Sequence, residues 1–240
     1  MMSASKSKDP QSMNEDSKQR EYWNSTVNKR SYRHPIVEFF AKQRLEYLRP
    51  ILKLSAEDRL LDIGCGDGFS TFYASRDTAN LFGVDRSTLM LEHHPTRSRV
   101  ACADAYALPF RNNSFDAVWS WELLHHMLQP ELAIREMQRV SSKYVVIFEP
   151  NRYNLALFLY GLFKREERLL LRSTKRFLRR MVDTEGWEIC LLENCGAILP
   201  NATPHFLFKL LRHLPFRLPL LCGISILLVA KRVEASGRLE

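Results

Sequence analysis

Arg59-Leu60-Leu61-Asp62-Ile63-Gly64-Cys65-Gly66-Asp67-Gly68-Phe69-Ser70-Thr71 decides how the rest of the chain is read. Leu60, Leu61 and Ile63 form a short apolar run suited to a buried central strand. The run enters three glycines at alternate positions, after which Phe69 to Ser75 can open a helix. Glycine serves where backbone turns tightly, or where a ligand approaches it without a Cβ in the way. The pattern suits a nucleoside cofactor lying over the carboxyl end of a first strand. A dinucleotide fingerprint, G-x-G-x-x-G, places its third glycine one residue later, where Phe69 stands. Asp62, just ahead of the loop, would repel a pyrophosphate and suits a cationic ligand.

Downstream, acids recur at strand ends. Leu81-Phe82-Gly83-Val84-Asp85 reads as a second buried strand, with Asp85 about twenty residues past Gly64, as a strand–helix–strand unit requires. A carboxylate there can accept from both hydroxyls of a ribose. A short strand over 99–103 ends at Asp104, and turn residues Asn112-Asn113-Ser114 precede a fourth strand over 115–121. Leu132, Ile134, Met137 and Val140 recur at helical spacing over 130–140, with Glu131, Arg135 and Arg139 facing outward. Residues 144–149 make a fifth, apolar strand ending in Glu149-Pro150-Asn151. This alternation implies parallel strands joined by right-handed crossovers, with ligands beyond the strands' carboxyl ends. The last two strands, over 187–199 and 223–229, read as an antiparallel hairpin at the sheet edge.

The glycine segment resembles motif I of the class I S-adenosylmethionine (SAM)-dependent methyltransferases, whose ligand carries a sulfonium and an ammonium. Asp104-Ala105 with Leu108-Pro109-Phe110 matches that family's D-A-x-x-L-P-F segment. Phe115-Asp116-Ala117-Val118 with Leu124-His125-His126 is similar to the F-D-x-V…L-H-H segment of the group containing the ubiquinone and menaquinone enzymes. The resemblance spans roughly residues 55–150. It implies an α/β, Rossmann-like class I methyltransferase fold: a seven-stranded, mostly parallel sheet with an antiparallel C-terminal strand and helices on both faces. It implies SAM as cofactor, no metal, and a SAM site formed by Asp62, Gly64, Cys65, Gly66 and Gly68. Asp85 and Arg86 fall at the ribose, Asp104 and Ala105 at the adenine, and Trp121 toward the methionine part, where a small polar residue is common.

Methyl transfer from a sulfonium is an in-line displacement, accelerated largely by holding acceptor and methyl in contact. An oxygen acceptor benefits from a general base. His125, His126 and Glu149 are the titratable groups at these strand ends. His126 and Glu149 are the candidate catalytic residues, although His126 also suits cofactor closure and Glu149 also suits capping of backbone amides.

Around this half, 240 residues suffice for one sizeable core, here expected over 21–235 after a disordered polar tail over 1–20. Residues 21–55 read as N-terminal cap helices. Tyr22 and Trp23 either seal the core or form a lid, and an amphipathic helix from Ile36 to Leu48 ends near Pro50. Residues 56–150 form the SAM-binding half and 151–235 the substrate-side half. Five cysteines without a C-x-x-C pair point to reduced thiols of a cytosolic protein. The first twenty residues hold no apolar core, so no secretory leader is expected, and the apolar run 218–230 is too short to span a bilayer.

The net charge of +8 calls for a polyanionic or membrane partner. No N/D-P-P-Y/F motif follows the fourth strand, so nucleic acid is not favoured. Basic residues alternate with large apolar ones over 155–180 and 205–217, a mixture that suits an anionic lipid surface as well as two ordinary helices. Glu149-Pro150-Asn151-Arg152 and this basic, apolar half look like methyltransferases of prokaryotic glycan or lipid pathways. The resulting expectation is a cytoplasmic methyltransferase, peripheral to the membrane where the lipid reading holds. Its acceptor is small or lipid-linked, such as a sugar hydroxyl of a glycan precursor. Quinone or isoprenoid-ring methylation, a tRNA-directed enzyme and a non-catalytic SAM-binding scaffold remain open.

Overall fold

The computed structural model describes residues 21, 22, 25, 28–76 and 78–233. The tail expected over 1–20, Trp23 and positions 234–235 lie outside the described residues.

Seven strands form one sheet: β1 (Leu60–Ile63), β2 (Leu81–Asp85), β3 (Val100–Cys102), β4 (Phe115–Trp121), β5 (Ser141–Pro150), β6 (Trp187–Cys195) and β7 (Ser225–Arg232). Their order is β3-β2-β1-β4-β5-β7-β6. Pairs from β3 to β5 are parallel, and β7 runs antiparallel to both β5 and β6. This is the Rossmann-like class I methyltransferase fold expected above. The last pair is not a simple edge hairpin, because β7 slots between β5 and β6 and leaves β6 outermost. Strand β6 stops at Cys195 because Gly196 takes φ +68 and turns the chain away.

The helices are α1 (Pro35–Leu52), α2 (Thr71–Ala74), α3 (Thr88–Glu92), α4 (Pro130–Val140), α5 (Leu155–Phe163), α6 (Lys175–Val182) and α7 (His205–Leu211), with a 3-10 segment at Arg165–Arg172. Both sheet faces are covered, which is why the central strands are apolar throughout rather than alternating. Val145 and Ile147 of β5 face one cluster, with Ile134 and Met137 of α4 and Leu178 of α6. Val146 and Phe148 face the other, with Phe40, Leu45 and Leu48 of α1.

Helix α1 begins at His34, whose Nδ1 accepts from the Ile36 amide at 3.2 Å, followed by Pro35 in the first turn. It continues two residues beyond Pro50. The lost amide costs one hydrogen bond, while burial of Leu48 and Leu52 keeps the last turn on the sheet. Arg139, expected to face outward, instead donates from α4 to the carbonyls of Phe110 (2.7 Å) and Leu108 (3.0 Å). It thereby pins the loop after Asp104. No helix among the described residues is long and apolar enough to cross a membrane.

Candidate functional site

A cavity of about 290 Å³ opens over the carboxyl ends of β1, β2 and β4, where loops meet rather than side chains of the core. Its floor is the glycine loop. Gly64 sits at φ +73, and a Cβ there would lie 2.8 Å from the Leu123 side chain, so only glycine lets the loop after β4 close over it. Gly68, at φ +95, does not line the cavity. It admits Pro95, whose Cδ would stand 2.6 Å from a Cβ.

Asp62 is also outside the cavity, fully buried behind the loop. Its Oδ2 accepts from the hydroxyls of Ser70 and of Thr71 (2.6 Å), which ties the start of α2 to β1. Burial pushes its carboxyl up to about 6, against those two hydrogen bonds. Its place in the fold is thus to brace the cradle rather than to meet a ligand.

Asp85 lines the cavity, accepting from the Gly66 amide (2.9 Å) on Oδ2 and the Ser87 amide (2.8 Å) on Oδ1. A carboxylate offers about four lone-pair sites, so acceptor capacity remains for a ligand hydroxyl. Burial raises its carboxyl pKa, and the amide donors hold it back. Cys65 and Arg86 line the same wall, and burial lifts the Cys65 thiol far above its ordinary range. Asp104 accepts from the Tyr106 amide at 2.9 Å, and Ala103, Ala105 and Tyr106 complete that end. Trp121 lines the opposite end, packed on Phe40 and Phe148.

The two candidate bases part company. His126 lines the cavity, and burial followed by the charge of His125, whose ring is 3.8 Å away, holds it well below the usual histidine range. It is therefore neutral near pH 7. Glu149 is fully buried and does not reach the cavity. Its carboxylate accepts from the amides of Leu123 (3.0 Å), Leu124 (2.6 Å) and His125 (2.9 Å), and faces His125 Nδ1 at 2.9 Å. All of its acceptor capacity goes to this turn, so the structure makes it an anchor. His125 Nε2 faces Glu167 Oε2 at 3.7 Å, and burial, which lowers its pKa, is outweighed by these carboxylates, which raise it. His125, His126 and Glu167 bring donor atoms within 4.8 Å of one another, a spacing a cation can bridge.

Three elements of the site escaped the sequence reading. Asn28 donates to Asp67 Oδ1 (2.6 Å) in the glycine loop and accepts from Asn201 (2.6 Å), joining the two sides of the cavity. Glu122 lines the cavity directly after β4. Arg44, 1% exposed, pairs with Glu122 from α1. A charged residue in the i, i+4 stripe Phe40-Arg44-Leu48 was the available signal. In Glu149-Pro150-Asn151-Arg152, Asn151 is buried too, donating to the carbonyls of Leu220 (2.6 Å) and Gly223 (2.8 Å).

Residues 61–147 match the family model described as "Methyltransferase domain". Over 103 residues the chain is 38% identical to the 27-O-demethylrifamycin SV methyltransferase of Amycolatopsis mediterranei, covering 39% of this chain and 38% of that one. It is 34% identical over 105 residues to the demethylmenaquinone methyltransferase of Corynebacterium urealyticum, covering 42% of this chain and 46% of that one. The chain thus spans less than half the length of these relatives. Among solved structures, a SAM-dependent methyltransferase from Aquifex aeolicus superposes with a TM-score of 0.57 at 13% identity, covering 91% of this chain and 98% of that one. Fold, cavity and family model agree on a methyltransferase domain over residues 61–147, set in a Rossmann-like class I methyltransferase fold. Its cofactor is SAM, and the residues present fit it: a cradle that a Cβ at Gly64 would fill, and acids at the ends of β2 and β3.

Proposed function

We propose that the protein transfers the methyl group of SAM to a small or lipid-linked acceptor, with a sugar hydroxyl of a membrane-bound glycan precursor as its finer form. The observation that carries the reading is the cavity itself, in which Gly64, Asp85 and Asp104 surround one ligand-sized space at the strand ends. SAM, when bound, supplies an electrophilic methyl and a good leaving group. The chain's own residues then have three tasks. The glycine loop and Asp85 hold the adenosine half, Asp104 and the backbone of Ala105 orient the ring, and neutral His126 accepts a proton from an acceptor hydroxyl. Holding the reactants in contact is worth on the order of 7–11 kcal/mol, so a site with few reactive groups suffices.

The lipid-linked form is supported by the surface near the cavity. Leu155 and Phe163 of α5 are 69% and 81% exposed. Asn154, which caps α5, donates to the carbonyls of Leu221 and Cys222, placing exposed Leu220 and Leu221 beside them. Leu157 of α5 packs in one cluster with Leu199, next to Pro200 and Asn201 of the cavity wall. A second reading, quinone or isoprenoid-ring methylation, is favoured by the similarity to the demethylmenaquinone enzyme. Incubation with methyl-tritiated SAM, followed by separation of lipid, RNA and small-molecule pools, tests all of these. Label in the lipid pool supports the proposal, and label in RNA alone replaces the acceptor class. No label in any pool leaves a SAM-binding scaffold.

A further inference from the structure

We infer that Glu122 is the carboxylate that faces the sulfonium of SAM, held in place by Arg44 and Ser225. The inference rests on the cofactor reading above and deepens it. Glu122 has φ +57, a left-handed conformation that non-glycine residues adopt at a cost and that concentrates at functional positions. This bend comes one residue after β4, and Glu122 lines the cavity. Oε1 accepts from Ser225 Oγ at 2.8 Å and from Arg44 Nη2 at 3.3 Å. Oε2 has no hydrogen-bond partner among the described residues, and the side chain keeps 31% of its surface open.

The bracing is rigid. The Arg44 guanidinium carbon lies 3.4 Å from the Phe40 ring centroid and 5.0 Å from that of Phe148, and Nη2 also donates to Ser225 Oγ at 2.8 Å. A planar guanidinium so stacked cannot follow a moving partner, so the carboxylate is preorganised rather than recruited. The sheet order says which half of the ligand it meets. Asp85 and Asp104 lie at the β2 and β3 ends, on one side of β1, and Glu122 lies at the β4 end, on the other. A ligand with its adenosine over β2 and β3 therefore extends its cationic half toward β4. There Glu122 lines the wall beside Trp121 and Phe40, with the Arg44 guanidinium already engaged by Oε1 and the Phe40 ring, so that Oε2 is the acceptor left for the ligand.

Charge separates this role from a merely structural one. SAM and sinefungin carry a positive charge at the position where S-adenosylhomocysteine is neutral, while all three share the adenosine and the ammonium. Calorimetry on wild type and Glu122→Gln should show affinity for SAM and sinefungin falling about tenfold, with S-adenosylhomocysteine changed less than about twofold. Glu122→Asp, which keeps the charge but withdraws it by one methylene, should lose part of the same discrimination, and ligand-free thermal melts establish that each variant folds. Equal losses for the three ligands, or an unchanged ratio, overturn the inference while leaving the cofactor reading in place. A wild type that binds none of them overturns both.

Discussion

Asp85 and Asp62 stand 23 positions apart in the chain and do opposite things with the same functional group. Asp85 presents its carboxylate to the cavity, so on the proposed ribose assignment Asp85→Ala removes charge-assisted hydrogen bonds to the ligand, each worth about 1.5–3 kcal/mol. The SAM dissociation constant should rise at least about tenfold by calorimetry with circular dichroism unchanged, and an unaltered constant would remove the ribose assignment. Asp62 is buried, with its carboxyl pushed from 3.8 up to about 6. A raised carboxyl means that the folded state holds a proton the unfolded chain has released. Its contribution is therefore most favourable below pH 3.8 and is lost as pH rises through about 6. Asp62→Asn abolishes that loss. Between pH 4.5 and 7 the stability of Asp62→Asn relative to wild type, from urea unfolding at each pH, should increase by about 2 kcal/mol. A flat difference would show that Asp62 titrates normally.

The elements explain what could and could not be seen beforehand. The bounds of strands β2 and β4 and of helix α4 are legible, because apolar runs and helical periodicity report which faces are buried. Arg139 is misplaced, Arg44 is missed and Glu149 is left between two roles for one shared reason. A charged residue reads as exposed or reactive until its partners are known, and those partners are backbone groups or residues far away in sequence. Glu149 makes the point quantitatively. Removing its carboxylate strands three amides and His125 in the interior, so Glu149→Ala should lower stability by about 3–5 kcal/mol in chemical denaturation. Leu123 and His126 belong to the turn it anchors, so cofactor binding should weaken in parallel. If Glu149→Gln instead kept wild-type stability and SAM affinity but lost turnover, the anchor assignment would fall and a catalytic role would return.

At the scale of the whole molecule, the seven-stranded sheet and its ligand edge follow from strand–helix alternation, whereas the surface of α5 does not. The residues over 155–163 read as a lipid-facing stretch or as an ordinary helix, and only Leu157 and Gly161 of the nine are buried. Such exposure beside the basic segment 164–180 gives a concrete test of the lipid reading. The protein should sediment with phosphatidylglycerol-containing vesicles at low salt and be released at high salt, since each basic residue near the surface adds roughly 1 kcal/mol. Replacing both Leu155 and Phe163 with Ser should cut that sedimentation several-fold and leave the melting temperature unmoved, because neither side chain is buried. Vesicle binding indifferent to this change would point to charge alone.

The place of β7 has a consequence for how the protein comes to be made. Penultimate in the sheet but the last of its seven strands to be synthesised, it is the only strand among the described residues that pairs with β6. Until residues 225–232 leave the ribosome, β5 waits with a bare hydrogen-bonding edge and β6 has no strand to pair with. A nascent chain stalled far enough on to free residue 220 but not β7 from the exit tunnel should be digested readily from 187 onward, and one stalled far enough past 232 to free β7 should resist. Pairing of β6 thus comes in a single late step, the same step that delivers Ser225 to Glu122 at the cavity.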